Sequence, residues 1–223
     1  MKAAVGVLAL WAFACHGDEP HKASSTGSPA RPAAPVVTAL PAALAGTPYG
    51  QRFTGLCAAC HGGNGRIETA LSPVLAGQPS LYVITQLYLF REGRRGNEAM
   101  TAVAKTLSDD DLRGFADLIA QLPPVPAPPP ATPADPGRMA RGQALAEQHK
   151  CLACHGADLG GGEQVPRIAG QHEDYVQASL RGFRAGTRPG YTQAMTEAVS
   201  QLSVDELDTL AYFVARFIPP APK

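Results

Sequence analysis

Apolar residues at helical spacing end each half of the chain. Two sets of four recur three or four positions apart: Leu112, Phe115, Ile119 and Leu122, then Leu207, Leu210, Val214 and Phe217. This spacing places each set on one face of an amphipathic helix. A serine with an acidic residue three positions later precedes both sets, as Ser108 with Asp111 and as Ser203 with Glu206. Because the serine caps free backbone N–H groups and the acid suits the helix dipole, both helices are predicted to begin there.

Further helices are predicted from the same kind of pattern. One follows each Ala-Gly-Gln segment, over about 80–92 and 173–185, and another covers about 138–149. The first-half counterpart of this last helix, near 43–55, is interrupted on paper by Gly46, Pro48 and Gly50, residues that disfavour a continuous helix. No segment alternates with the two-residue period of a strand. The predicted fold class is therefore all-α.

The two halves also repeat each other residue by residue. Cys57, Cys60 and His61 recur 94 residues later as Cys151, Cys154 and His155, and Ala76-Gly77-Gln78 recurs 93 residues later as Ala169-Gly170-Gln171. Tyr82 matches Tyr175, Phe90-Arg91 matches Phe183-Arg184, and Met100 matches Met195. Self-similarity at a fixed period marks a repeated structural unit. The chain is therefore predicted to hold two domains of one kind.

Each repeat carries a Cys-x-x-Cys-His motif, the attachment signature of c-type haem. The two thiols add to the two vinyl groups of one porphyrin, and the adjacent histidine is placed to bind the iron. The sequence thus predicts two haem c groups, bound covalently at Cys57 and Cys60 and at Cys151 and Cys154. A pair of structural zinc sites is the alternative. It is disfavoured because the histidine directly follows each second cysteine and the haem-type context repeats.

Two methionines occupy equivalent places, Met100 and Met195, which lie 39 and 40 residues after His61 and His155. Methionine sulfur is a known second axial ligand of haem iron and raises its potential. The alternative is that each methionine fills the core after a helix. The other histidines, among them His172, have no counterpart in the repeat and are expected to be exposed or locally hydrogen-bonded.

Prolines and arginines near the motifs have two interpretations each. Pro73 lies twelve residues after His61, and Pro166 lies eleven after His155. A backbone carbonyl near such a proline would accept a hydrogen bond from histidine Nδ1, or the proline would only shape a turn. Basic residues precede both methionines: Arg91, Arg94 and Arg95, then Arg181, Arg184 and Arg188. They would neutralise haem carboxylates or meet an acidic partner, or they would form a solvated basic face.

Charge and cysteine usage bear on location. The formal net charge is zero, which argues against nucleic acid as a partner. Residues 1–15 read as a secretory signal, with one lysine, a short apolar run and Cys15 at its end. Cys15 is either the lipid-bearing residue of a lipoprotein box, which would anchor the protein to a membrane, or a neighbour of an ordinary cleavage point. Both interpretations predict export.

The proposed domain boundaries follow composition. Residues 16–46 are rich in serine, alanine and proline and are predicted to be a flexible tether. The first domain covers 47–122, and the second covers 137–220. Between them, residues 123–136 contain eight prolines and are predicted to be a semi-rigid spacer. The length of this linker leaves open whether the two domains dock.

Taken together, the motifs resemble a known family. Two Cys-x-x-Cys-His motifs, each followed by Ala-Gly-Gln, a tyrosine, a Phe-Arg segment, a methionine and a Leu-Ser helix cap, look like diheme cytochrome c of the c4 type over residues 50–218. The resemblance implies two tandem class I cytochrome c domains joined by the proline-rich linker. It implies axial ligation by His61 with Met100 and by His155 with Met195. It also implies a periplasmic electron carrier that feeds a terminal oxidase or reductase.

The leading functional hypothesis is an electron shuttle between respiratory redox proteins, without enzymatic activity. Methionine at the sixth iron position leaves no open site for a reactant. One alternative is the cytochrome subunit of a dehydrogenase or oxidase complex. Another is a diheme enzyme such as a thiosulfate dehydrogenase, which needs an open iron or an unusual ligand such as cysteine. No cysteine after Cys15 lies outside the haem motifs.

Overall fold

The computed structural model describes residue 1, residues 39–190 and residues 192–219. Within these residues the chain forms helices and no strand, apart from one isolated bridge between Gly162 and Val165. The all-α prediction is therefore confirmed. The predicted signal, Cys15 and most of the tether lie outside the described residues. Across the described ranges, no helix combines the length and the apolar character that crossing a membrane requires.

The helices fall into two similar series. The first half contains α1 (Ala42–Ala45), α2 (Pro48–Leu56), α3 (Ala58–His61), α4 (Ser80–Arg91), α5 (Glu98–Ala104) and α6 (Asp109–Gln121). The second half contains α7 (Pro136–Gln148), α8 (Cys151–His155), α9 (Glu173–Arg184), α10 (Ala194–Val199) and α11 (Val204–Arg216). The first half thus has one short helix, α1, that the second half lacks among its described residues.

Capping residues fix the ends of several helices as predicted. The Ser108 hydroxyl accepts the Asp111 N–H at 3.2 Å, and the Asp111 carboxylate accepts the Ser108 N–H at 3.0 Å. Ser203 and Glu206 form the same reciprocal pair at α11. Two backbone N–H groups that lack intrahelical partners are satisfied at each helix start.

Pro48 does not interrupt a helix but begins one. The break between α1 and α2 falls at Gly46 and Thr47, and the Thr47 hydroxyl accepts the Gly50 N–H at 3.0 Å. Proline is well placed in the first turn because its missing N–H would be unpaired there anyway. In the same way α7 starts at Pro136, slightly earlier than predicted, because the Asp135 carboxylate caps it.

Each half has its own apolar core. The first is centred on Phe53, Phe115 and Leu122, and the second on Leu207, Leu210 and Phe213. In both halves the opening helix packs against the closing one, α2 on α6 and α7 on α11. The two cores lie within one compact unit of the chain. Burial of these apolar faces supplies the main stabilisation of each half.

The start of the proline-rich segment packs against both Ala-Gly-Gln turns. A Cβ on Gly77 would lie 2.6 Å from Pro124, and one on Gly170 would lie 2.6 Å from Pro126. The Ala127 N–H donates to the Gly170 carbonyl at 2.6 Å. Both glycines have positive φ, which favours glycine as well. This part of the linker therefore contacts both halves and does not extend freely between them.

Candidate haem-binding sites

Both Cys-x-x-Cys-His motifs lie on short helices. In the first half α2 runs directly into α3, with Cys57 at the junction. The two cysteines and the histidine occupy positions i, i+3 and i+4, which share one face of a helix. No disulfide joins the four cysteines of these motifs, and the first of each pair is half-buried while the second is exposed. Each site thus presents two free thiols beside one imidazole.

The half-buried thiols are protonated at neutral pH. Burial raises the pKa of Cys57 to about 12, and the nearby Arg52 only partly offsets this. Burial also raises the pKa of Cys151. Zinc would require thiolates and usually four protein ligands. Over residues 39–190 and 192–219, no group of three or more His, Cys, Asp or Glu side chains is arranged to hold a metal ion.

A backbone carbonyl orients each motif histidine. His61 Nδ1 lies 3.0 Å from the Pro73 carbonyl oxygen, and His155 Nδ1 lies 3.1 Å from that of Pro166. Of the two interpretations of these prolines, the structure shows the one in which their carbonyls accept the histidine hydrogen bonds. Because Nδ1–H donates to the carbonyl, Nε2 is left unprotonated and available to a metal.

Burial keeps both imidazoles neutral. His61 is 7% exposed and His155 is 6% exposed. Desolvation lowers the pKa of each histidine, and the carbonyl hydrogen bond only partly opposes this. The neutral imidazole is the form that binds iron. The donor set and its protonation therefore fit a haem-binding motif.

A glycine after each histidine was missed from sequence. Gly62 has φ 77° and ψ 151°, and Gly156 has φ 81° and ψ 159°. This region of backbone space is essentially restricted to glycine. The glycine ends the motif helix, and the proline carbonyl eleven or twelve residues after the histidine lies against the imidazole. The repetition of Cys-His-Gly in both halves was the signal that would have found it.

Met100 and Met195 lie on equivalent short helices. Met100 is on α5, which is capped by the Asn97 side chain through the Met100 N–H at 2.9 Å. Met195 is on α10 and packs against the second core. Both side chains are half-buried. The repeat alignment had placed them at matching positions, and the helices agree with it.

The six arginines do not form one solvated basic face. Arg91 pairs with Asp109, Arg181 pairs with Asp208, and Arg184 donates to the Leu202 carbonyl. Arg95 and Arg188 instead converge between the two halves. The interpretation as a solvated basic face therefore does not hold for Arg95 and Arg188, because both bind Tyr175 at the boundary between the halves.

A cluster of two arginines and two tyrosines joins the halves. Arg95 donates to the Tyr175 hydroxyl at 3.0 Å, and Arg188 contacts the hydroxyls of Tyr175 at 3.2 Å and Tyr82 at 3.4 Å. Arg95 stacks 4.4 Å from the Phe90 ring, and Arg188 stacks 4.7 Å from the equivalent Phe183 ring. The cluster thus follows the sequence repeat.

Within the described ranges, no carboxylate pairs with the positive charge of this cluster. Neither Arg95 nor Arg188 forms an ion pair with a carboxylate in the described part of the chain, and Arg188 Nε is buried without a hydrogen-bond partner. Although burial raises the pKa of Tyr175, the two guanidinium groups outweigh it and lower that pKa. Cations held at this boundary without a carboxylate partner, Arg95 buried and Arg188 half-buried, fit an anionic group such as a haem carboxylate.

His172 corrects another expectation. It is buried, and its Nε2 lies 2.9 Å from the carbonyl of Ile67, 105 residues away. The expectation of an exposed or locally bonded histidine was wrong, because the partner comes from the other half. This contact also answers the open question of docking, since side chains of one half bond directly to the backbone of the other.

Two helical domains, each with a Cys-x-x-Cys-His motif and an oriented neutral histidine, define the class of diheme c-type cytochromes. A family model described as "Cytochrome c" matches residues 139–216, and one described as "Cytochrome C oxidase, cbb3-type, subunit III" matches residues 45–119. Cytochrome c4 of Thiocapsa roseopersicina is 32% identical over 174 residues, which cover 73% of this chain and 88% of the relative. The chain belongs to the cytochrome c4 family.

Two further comparisons agree with this assignment. The crystal structure of reduced recombinant cytochrome c4 from Pseudomonas stutzeri superimposes with a TM-score of 0.67 at 27% identity, covering 76% of this chain and 97% of that chain. A "Thiosulfate dehydrogenase electron acceptor" of Thiomonas intermedia is 35% identical over 164 residues, or 65% of this chain and 76% of the relative. The protein is a diheme electron-transfer cytochrome with two haem c groups.

Proposed function

We propose that the chain is an electron shuttle whose two haem groups are closed on both axial sides. The proposed attachment and ligand sets are Cys57, Cys60, His61 and Met100 in the first domain, and Cys151, Cys154, His155 and Met195 in the second. The observation that carries attachment and histidine ligation is the pair of carbonyl-bound histidines beside free thiols. The equivalent positions of Met100 on α5 and Met195 on α10 support the second axial ligand. A haem bound there supplies one-electron chemistry.

The cluster of arginines between the domains supports the same proposal. Arg95 and Arg188 have no carboxylate partner among the described residues, so haem carboxylates are the anions that we assign to them. Neutralising those groups at the interface would keep both cofactors near the domain boundary. That placement suits transfer of an electron from one domain to the other.

Methionine as the sixth ligand argues for transfer rather than catalysis, because a reactant would find no open iron position. The partners would be an electron donor and a terminal oxidase or reductase. Similarity to an electron acceptor of thiosulfate dehydrogenase favours a second candidate, in which the donor is a thiosulfate-oxidising enzyme. Reduction of the purified protein by each candidate donor, followed at the haem absorption band, separates the two.

We place the protein in the periplasm, on the basis of its N-terminal signal and its family. Cys15 would carry a lipid that anchors the chain to a membrane surface, with residues 16–46 as the tether. Mass spectrometry of the mature protein from its native host tests both points. An intact Met1 would contradict export, and an unmodified Cys15 would contradict the anchor.

Haem counting and ligand binding test the main proposal. The pyridine haemochrome should give two haem c per chain, and oxidised protein should show the weak far-red band of methionine-ligated ferric haem. Reduced protein should not bind carbon monoxide readily. One haem per chain, or rapid carbon monoxide binding to the unsubstituted protein, would refute closed ligation at both irons.

A further inference from the structure

Glutamines of the two Ala-Gly-Gln turns cross between the domains. Gln171 of the second domain binds the backbone of Val74 in the first, with Oε1 accepting the Val74 N–H at 2.8 Å and Nε2 donating to the Val74 carbonyl at 3.0 Å. In the other direction, Gln78 Nε2 donates to the Arg167 carbonyl at 2.7 Å. The side chains of Gln171 and Gln78 are both buried.

Gln171 binds the peptide group whose carbonyl orients His61. The N–H of Val74 and the carbonyl of Pro73 belong to the same planar peptide unit. That carbonyl accepts the hydrogen bond from His61 Nδ1. A continuous chain of hydrogen bonds therefore runs from Gln171 Oε1 through this peptide to His61. Hydrogen bonds in such a chain polarise and strengthen one another.

No equivalent chain of hydrogen bonds is present among the described residues of the second domain. Gln78 binds the Arg167 carbonyl, which belongs to the peptide after the one whose carbonyl accepts His155. Its Oε1 is buried without a partner among the described residues. Gln78 therefore holds the segment in place without polarising the carbonyl that orients His155. The two glutamines are equivalent in sequence but not in their effect on the histidines.

We propose that Gln171 is a positioning residue for His61, so that the second domain tunes the first-domain haem. This inference rests on the proposed ligation of iron by His61. A stronger Nδ1–H bond makes imidazole a more basic ligand, which stabilises ferric iron and lowers the potential. Loss of the Gln171 contact should therefore raise the first-domain potential. Simple loosening of the interface would act oppositely, because water stabilises the more highly charged ferric haem.

The test uses Gln171→Leu in the full haem-loaded protein, with two matched controls. Gln78→Leu removes the reciprocal contact, and His172→Leu removes the bond to Ile67 without touching the Pro73–Val74 peptide. Potentials of both haems are measured by spectroelectrochemistry and are assigned with Met100→Ala, which should displace only the first-domain value. Gln171→Asn keeps the amide but shortens its reach, and so gives a second variant that adds no apolar group.

We expect Gln171→Leu and Gln171→Asn to raise the first-domain potential and to leave the second-domain potential unchanged. In reduced, diamagnetic protein the His61 Nδ1–H proton resonance should move upfield, while that of His155 stays. Gln78→Leu and His172→Leu should produce neither change. An unmoved His61 resonance in the Gln171 variants would overturn the proposal. Parallel shifts of both potentials in Gln171→Leu and His172→Leu would also overturn it, and would assign the glutamine to docking alone. Failure of His61 ligation itself would already be visible in the haem count and spectrum of the unsubstituted protein.

Discussion

Gly142 of α7 lies directly against Phe213 of α11, where a Cβ on the glycine would be 2.4 Å from the Cβ of the phenylalanine. In the first domain the pair is reversed, since Gly114 of the closing helix lies against the ring of Tyr49 on the opening helix. Both arrangements let the two helices cross closely. The repeat therefore preserves a contact between a glycine and an aromatic residue while exchanging which helix supplies the glycine.

Replacing Gly142 by alanine should destabilise the second domain. The obstructing atom is a Cβ, which cannot rotate away, so the helices must separate at a cost of about 1–3 kcal/mol. Unfolding in denaturant, followed by circular dichroism, measures the loss. Gly55→Ala is the control, because Gly55 is an exposed position inside α2 with open space around it. That change should stabilise by roughly 0.5–1 kcal/mol, and equal effects of the two variants would contradict the packing argument.

The two glycines that follow the motif histidines should differ in how well they tolerate substitution by alanine. A Cβ on Gly62 would lie 1.8 Å from the Arg66 backbone carbonyl oxygen, whereas one on Gly156 would first meet the Asp158 side chain at 2.9 Å. Each alanine variant carries backbone strain on the order of 1–3 kcal/mol, and only Gly62→Ala adds a collision with backbone. Haem-loaded yield and the unfolding midpoint should both fall further for Gly62→Ala. A larger loss for Gly156→Ala would contradict this.

Asp111 should make the first domain sensitive to acid. The hydrogen bond from Arg52 and the capping bond from the Ser108 N–H hold the pKa of Asp111 below its usual value. Its contribution is therefore fully present above the ordinary carboxyl pKa of about 3.9 and is lost as the pH falls towards the lower folded-state value. Asp111→Asn should cost up to about 1 kcal/mol at pH 7, because it removes the charge that pairs with the half-exposed Arg52. The difference from the unsubstituted protein should shrink below about pH 4.

Asp110→Asn is the matched control for this prediction. Asp110 lies in the same helical turn and pairs with Arg113, but both of these side chains are exposed. Exposed ion pairs contribute little, so the variant should change stability by less than about 0.5 kcal/mol. Denaturant unfolding of both variants between acid and neutral pH checks the comparison. A pH-independent difference for Asp111→Asn would show that its charge is not responsible.

Local features of this chain could be predicted from sequence, and contacts between domains could not. The pairing of Ser108 with Asp111 spans three residues, and the repeat aligns Pro73 with Pro166, so both features could be predicted from the sequence. The partners of Gln171 and His172 lie 97 and 105 residues away. Which side chains cross an interface depends on how the domains dock, and no periodicity encodes this. The repeated glutamine was visible in the sequence, but its partner in the other domain was not.

Methionine ligation is tested most directly by opening one iron at a time. Met100→Ala should let the reduced protein bind about one equivalent of carbon monoxide per chain and should lower the potential of the first-domain haem, because a methionine ligand raises it. The shift should fall within the span of about 0.8 V over which axial ligands set haem potentials. Met195→Ala should do the same in the second domain only.

Met139→Ala is the control, since Met139 packs against the second core from α7 and has no equivalent in the repeat. This variant should alter stability and leave both irons closed. Unchanged potentials in Met100→Ala and Met195→Ala would remove both methionines from the ligand set. Carbon monoxide binding by Met139→Ala alone would show that Met139 on α7 is a ligand instead.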